Sequence, residues 1–271
     1  MSSVRVVIPV YKAQATLERC LVSVKKNAFC SLHVFLAVDD GDDYSAWCGP
    51  FEGGIVDAVR TSAARSGPSA ARNAGLRGLA EDFVAFCDAD DQWGEGRLER
   101  LCALAGPGGA AVDNTTVIGP DGTPLRQAKT CQPPGDALNL MTLLGARLPF
   151  FSVVGCGVPI PDWPDLRFAE DLVFNLQLLE QRGLRFSAET SYLYHVNAAS
   201  ISASADIGPR MADAYRAILA GLDAGQWFET PAIATALRRQ IHLDRETNTE
   251  FLSGGLAGET LNEFVARKKS E

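Results

Sequence analysis

The chain has 271 residues, with 25 Lys and Arg against 33 Asp and Glu for a net charge of −8, and 46% of its residues are hydrophobic and 21% charged. That balance belongs to a folded globular protein long enough to bury a core without staples, and it excludes disorder and fibrous repeats. The acidic excess argues against a polyanionic partner, because affinity for nucleic acid rests on Lys and Arg neutralising phosphates.

Four short runs, Val4–Val10, Leu32–Val38, Ile55–Arg60 and Phe83–Cys87, are β-branched or aromatic and apolar at consecutive positions, as expected of strands covered on both faces. They predict a mainly parallel sheet. Leu17, Cys20, Leu21 and Val24 fall at i, i+3, i+4, i+7 and predict a helix between the first two strands, and Ser69 is suited to cap a second helix from Ala70 to Leu79. This alternation of strand and helix is the α/β pattern. Arg97–Leu104 reads as a helix. Ala110–Ile118 and Pro124–Ala128 flank the turn Pro120-Asp121-Gly122 and predict a hairpin. Glu170–Gln181 carries Leu172, Val173, Leu176 and Leu179 at helical spacing, and the strand-like segments Arg185–Ser187 and Ser191–Val196 follow. Beyond Ile207 the spacing is helical only, in Met211–Leu222, Pro231–Leu243 and Thr260–Ala266, with a break at Gly254-Gly255.

The seven cysteines form an odd set without a Cys-x-x-Cys pair, several of them inside apolar runs, and read as reduced thiols of a cytoplasmic protein. The N-terminus lacks a basic region ahead of an apolar stretch. The longest near-apolar segment, Leu148–Ile160, falls short of the ~20 residues that span a bilayer. At most, a peripheral contact with the inner face of a membrane is expected.

Acidic residues gather where strands end. Leu32–Val38 runs into Asp39-Asp40-Gly41-Asp42-Asp43, and Phe83–Cys87 runs into Asp88-Ala89-Asp90-Asp91. Ligands of open α/β sheets bind beyond the carboxyl ends of the strands, so both clusters are expected on one crevice. Carboxylates spaced Asp-x-Asp supply hard oxygen donors to Mg²⁺ or Mn²⁺, ions that keep waters and engage substrate phosphates. Asp also populates turns by bonding nearby amides, which explains any single cluster equally well. A calcium loop through Asp88, Asp90, Gln92 and Glu99 meets Trp93 where a glycine is required.

In order, Val6-Val7-Ile8-Pro9-Val10-Tyr11, Val38-Asp39-Asp40-Gly41, Gly67-Pro68-Ser69-Ala70-Ala71-Arg72-Asn73-Ala74-Gly75 and Phe86-Cys87-Asp88-Ala89-Asp90-Asp91-Gln92-Trp93 resemble the signatures of family 2 glycosyltransferases with the GT-A fold. Ala169-Glu170-Asp171 resembles the family's acidic motif. Tyr194-His195 with Ser200-Ile201-Ser202 resembles its closing segment, so the likeness covers residues 4–200. It implies an α/β GT-A domain over 1–205, a mainly parallel nucleotide-binding sheet flanked by helices, with an α-helical C-terminal extension over 206–271.

Carried across by position, the resemblance places Pro9, Val10 and Tyr11 around the base, and Asp40 on the uracil ring nitrogen with Asp39 as its neighbour. Arg72 goes near base or diphosphate, Asp88 toward the ribose, and Ser200 and Ser202 at the nucleotide sugar. Asp90, with Asp91 and His195, is implied at the metal. Asp171 becomes the general base, with Glu170 supporting it, although carboxylates in a first helical turn also complement the helix dipole. Asp42 stands where the family usually shows Ser, and Cys87 where an apolar residue is common. The expected activity is inverting transfer from a UDP-sugar to a hydroxyl of a saccharide or lipid-linked saccharide, with Mg²⁺ or Mn²⁺ as cofactor. The segments around Asn114 to Gly157 would shape the pockets for the sugar and the acceptor, and the C-terminal helices are expected to pack on the core or to form a homo-oligomer. Two rivals stand beside this: a sugar-phosphate nucleotidyltransferase, against which Pro9-Val10-Tyr11-Lys12 occupies the place of a phosphate loop, and a non-catalytic module binding a nucleotide sugar or Ca²⁺.

Overall fold

The computed structural model describes residues 2–61, 64–127, 137–145, 151–196, 207–255, 264 and 267–268. It divides into two compact units, 1–195 and 196–271, ahead of the 205/206 boundary expected from the sequence. In the first unit the described strands are β1 (Ser3–Val10), β2 (Ser31–Val38), β3 (Gly49–Phe51), β4 (Gly54–Arg60), β5 (Phe83–Phe86), β6 (Gln92–Trp93), β7 (Ala110–Ile118), β8 (Pro124–Gln127), β9 (Val153–Gly155) and β10 (Leu184–His195). Its helices are α1 (Leu17–Lys25), α2 (Pro68–Leu76), α3 (Arg97–Ala105), α4 (Leu140–Gly145) and α5 (Glu170–Arg182). The strands form one sheet ordered β3-β4-β2-β1-β5-β9-β7-β10-β6, with β8 on β7.

The four runs expected to be parallel are parallel, in the order β4-β2-β1-β5. Val4, Val6, Val7, Ile8 and Val10 are fully buried, which is why β1 shows no polar alternation. Helix α2 lies close on this strand: a Cβ at Gly75 would stand 2.4 Å from Val7 Cγ1, so only glycine lets the two backbones approach.

Three local expectations are corrected. Ser69 does not cap α2. Gly67 holds the N-cap position with φ 99, and the Ser69 hydroxyl, in the first turn, donates to the Leu166 carbonyl at 3.4 Å. The helix stops at Leu76 instead of Leu79 because the buried Arg5 guanidinium collects the carbonyls of Gly75, Arg77 and Gly78 and bends the chain out of the helix. The two strands expected after α5 are one, β10, parallel to β7 with register shifts between Ser187 and Tyr192 where the gap was expected. The hairpin β7–β8 forms as expected, Asp121 accepting from the Thr123 amide at 3.0 Å.

In the second unit, α6 (Ile207–Asp223) and α7 (Pro231–Gly254) pack together, with Ile218, Leu222, Leu237 and Ile241 buried. Trp227 lies where a side chain at Gly221 would clash, and Arg238 pairs with Asp223 at 2.7 Å. Helix α7 runs well past the expected Leu243 and ends at Gly254. Of the expected Thr260–Ala266 helix, only Phe264, which is buried, is among the described residues. No helix among the described residues is long and apolar enough to cross a membrane.

Candidate active site

Chain order runs from β1 outward through β2 to β4 and then returns to β5 on the other side of β1, so the reversal lies at β1. An open α/β sheet leaves a crevice at such a point, beyond the carboxyl ends of its strands. β1 and β2 end level, with Val10 paired to Val38 and the Asp39 amide on the Val10 carbonyl at 2.9 Å, whereas β5 ends opposite Val7, where the Cys87 amide bonds the Val7 carbonyl at 3.2 Å.

On one side of the crevice Asp39 is buried and accepts from the amides of Ser66 and Gly67, each at 2.8 Å, and from the Thr61 hydroxyl at 3.0 Å. It ties the end of β2 to the entry of α2. Asp40 is more open. Its Oδ2 accepts from the Lys12 amide and from the Tyr44 hydroxyl at 2.8 Å, and its Oδ1 from the Asp42 amide at 2.9 Å. Burial works to raise its pKa, but the bond from the Lys12 amide and those from Asp42 and Tyr44 outweigh it and hold the carboxyl below its ordinary value. Of the three residues expected at the base, Pro9 is partly exposed near the end of β1, Val10 is buried in the core and offers only backbone there, and Tyr11, just past the strand, is 46% exposed.

On the other side the turn Asp88–Asp91 closes by a bond from the Asp91 amide to the Asp88 carbonyl at 3.0 Å. Burial and the neighbouring Asp88 push Asp90 up to about 6, and Arg19 of α1 donates to the Asp90 carbonyl. Asp91 is fully buried, with Oδ2 accepting from the Tyr192 hydroxyl at 2.7 Å and Oδ1 from the His195 amide at 2.9 Å. The His195 ring meets Gln92 Oε1 through Nε2 at 2.8 Å, and burial, with Arg19 nearby, pulls its pKa down to about 4. The expected metal trio of Asp90, Asp91 and His195 is therefore not assembled. Asp91 holds the turn from beneath, His195 faces Gln92, and among the described residues no three His, Cys, Asp or Glu side chains converge as ligands.

Arg72 joins the Asp88–Asp91 turn to the Glu170-Asp171 motif, although Asp88 and Glu170 stand 82 residues apart in the chain. It is 2% exposed, and its guanidinium pairs with Asp88 Oδ1 at 2.7 Å and with Glu170 Oε1 at 2.9 Å, stacked over Trp163 with 4.3 Å to the ring centroid. Asn73, next in the chain, exchanges two hydrogen bonds with the Trp163 backbone at 2.8 and 2.9 Å. Both terminal nitrogens of Arg72 thus face carboxylates. Glu170 and Asp171 open α5 behind Ala169, a non-glycine residue at φ 59. Burial and the Glu170 charge raise Asp171 to about 7 against the pull of Arg72. Lys12 (φ 52) follows the base segment, so left-handed non-glycine backbone stands beside both motifs. Ser200 and Ser202 lie outside the described residues.

Sequence reasoning missed Tyr44, Trp163 and Tyr192, which touch Asp40, Arg72 and Asp91. Trp163 and Tyr192 reach their partners only through the fold, and Tyr44, four residues from Asp40, carried no mark of its own in the sequence.

The family model described as "Glycosyl transferase family 2" matches residues 5–157, which span the crevice from β1 to β9. The succinoglycan biosynthesis protein ExoO of Rhizobium meliloti (strain 1021) is 28% identical over 223 residues, 72% of this chain. This chain spans 61% of that protein's length. Among solved structures, S. aureus TarS 1–349 in complex with UDP-GlcNAc aligns over 93% of this chain and 75% of its own, with TM-score 0.61 at 17% identity. The mannosyltransferase PcManGT from Pyrobaculum calidifontis, in complex with GDP-Man and Mn²⁺, covers 98% of this chain and 79% of its own, with TM-score 0.57 at 14% identity. The folds agree, and the strand-end carboxylates, the Arg72 helix and the Asp88–Asp91 turn all fall inside the matched span: the chain belongs to glycosyl transferase family 2.

Proposed function

We propose that the chain is a metal-dependent inverting glycosyltransferase that moves a sugar from a UDP-sugar to a hydroxyl of a saccharide or lipid-linked saccharide acceptor. The observation that carries this reading is the Arg72 bridge: by pairing with Asp88 and Glu170 it sets Asp171 beside the turn that receives the diphosphate. A carboxyl at about 7 is matched to general-base work near neutral pH. Asp171 takes the acceptor proton as the hydroxyl oxygen bonds to the anomeric carbon. The bond from that carbon to the diphosphate breaks, UDP leaves with the bonding pair, and an α-linked donor gives a β-linked product.

Asp88 and Asp90 suit a divalent cation, since they are hard oxygen donors whose mutual repulsion raises Asp90 and which a cation would relieve. When bound, the cation offsets charge that grows on the leaving diphosphate. Tyr11, exposed at the end of β1, supplies a stacking face for the base, and Asp40 the acceptor for its ring N–H. The names of the relatives support polysaccharide synthesis, and the UDP-GlcNAc bound to TarS and the Mn²⁺ in PcManGT support the donor and cofactor classes.

Release of free nucleotide diphosphate tests the reading. Incubated with a panel of UDP- and GDP-sugars and a mixed saccharide acceptor pool, the protein should release UDP with Mn²⁺ and not with EDTA. Full release in EDTA, or release of GDP alone, would overturn it.

A further inference from the structure

The turn that carries Asp88 and Asp90 is held by a residue from the far end of the sheet. Tyr192 of β10 accepts from the Asp88 amide at 3.2 Å and donates to Asp91 Oδ2 at 2.7 Å, so one hydroxyl spans both ends of the turn. The ring cannot swing away. It is fully buried, stacked on Phe151 at 4.7 Å with the rings 26° apart, and the Arg97 guanidinium stands 5.2 Å from its centroid. Arg97 is itself fixed by the buried Asp113, with N–O distances of 3.0 to 3.2 Å. Beside the hydroxyl, Tyr192 pairs with Trp93 in the β10–β6 ladder, and the His195 amide takes the second oxygen of Asp91. Asp91 is thereby turned inward on both oxygens, leaving Asp88 and Asp90 as the carboxyls of the turn at the crevice.

We propose that Tyr192 is a positioning residue for the donor: its hydroxyl sets the spacing of the Asp88 and Asp90 carboxyls that receive the metal-bound diphosphate. The inference rests on the donor reading given above. Groups that hold ligating carboxylates in place typically govern metal affinity or activity by 10–100-fold, because a ligand displaced by a fraction of an ångström loses its geometry. The phenol ring alone fills the space, so the hydroxyl is separable from the packing.

Tyr192→Phe keeps the stack on Phe151 and removes only the two hydrogen bonds. UDP affinity measured calorimetrically in Mn²⁺ should fall by about 10- to 100-fold, and the Asp88 amide should lose its hydrogen-exchange protection. A folded Tyr192→Phe protein that binds UDP in Mn²⁺ within twofold of the native one, with only a lowered melting temperature, would show a packing role and overturn the proposal. The native protein supplies a second arm that needs no variant: its Asp88 amide should exchange as slowly as the amides of β1, and fast exchange there would overturn the proposal too. If the native protein bound no UDP in Mn²⁺ while that amide was protected, the donor reading would fall, and with it the role assigned to Tyr192.

Discussion

Asp171→Asn separates a base from a structural carboxylate. The folded protein raises Asp171 from 3.8 to about 7, chiefly by burial and by the Glu170 charge. The protonated form is thus favoured in the fold, and its contribution to stability is fully present below pH 3.8 and lost as pH rises through about 7. At about 1.4 kcal/mol per pH unit, the ionised carboxylate costs the native protein on the order of a few kcal/mol above that pH. The amide carries no such cost, so Asp171→Asn should melt at least as high as the native protein at pH 8.5, and the difference should shrink on acidification to pH 5. Transfer should move the opposite way. An amide cannot take the acceptor proton, so turnover should drop by about 10²-fold or more, and the rise of native turnover with pH through about 7 should vanish. Turnover and melting temperature read across pH 5 to 8.5 on the two proteins make the assay. Near-normal turnover with a lower melting temperature at every pH would refute the reasoning, because it would make Asp171 a group the fold needs ionised.

Asp90→Asn should abolish the Mn²⁺ dependence of UDP binding without lowering the melting temperature, since it removes the repulsion from Asp88; calorimetry in Mn²⁺ and in EDTA checks it, and a retained metal effect would contradict it. Asp40→Ala should weaken UDP binding about tenfold and also lower the melting temperature, because the Lys12 amide and the Tyr44 hydroxyl lose their acceptor; unchanged affinity would remove Asp40 from the base pocket. Gly75→Ala should cost about 1–3 kcal/mol from the contact with Val7, measured by denaturant unfolding. Adding Val7→Ala should recover part of that loss, and simple additivity of the two losses would show that the contact is not the cause.

How far the fold was legible follows from where its information is stored. β1, β2, β4 and β5 are continuous apolar runs, and α3 and α5 repeat at helical spacing, so burial wrote them into the chain locally. β9 was not legible: its three residues lie inside the apolar Leu148–Ile160 stretch and become a strand only by pairing antiparallel with β5 and β7. The end of α2 depended on Arg5, 70 residues before the Gly75 carbonyl it binds. The same holds at the site. The paired carboxylates announced themselves by clustering after strands, but which of them line the crevice was decided by Tyr192 and His195, which draw Asp91 inward, and by Arg72, which draws Asp88 and Glu170 together. Residue type proposed the donor set, and hydrogen bonds from distant segments sorted it.

That sorting bears on why the crevice is built with so much like charge. Asp88, Asp90, Glu170 and Asp171 stand at it with Asp91 buried beneath, and burial and mutual repulsion raise Asp90, Asp91 and Asp171 together. Arg72 brings one positive charge to Asp88 and Glu170 together and leaves the others unpaired by any cation at comparable distance among the described residues. A diphosphate approaching this arrangement alone would meet repulsion, whereas one approaching with a divalent cation brings the charge the carboxyls lack. On the proposed function, the same residues whose repulsion costs the fold stability would select a metal-bound diphosphate over the bare anion. Saturating UDP should then raise the melting temperature only when Mn²⁺ is present, by the mass-action shift of a ligand bound to the folded state. An equal rise with UDP in EDTA would mean that the carboxyls do not confront the diphosphate, and the assignment of Asp88 and Asp90 would have to be given up.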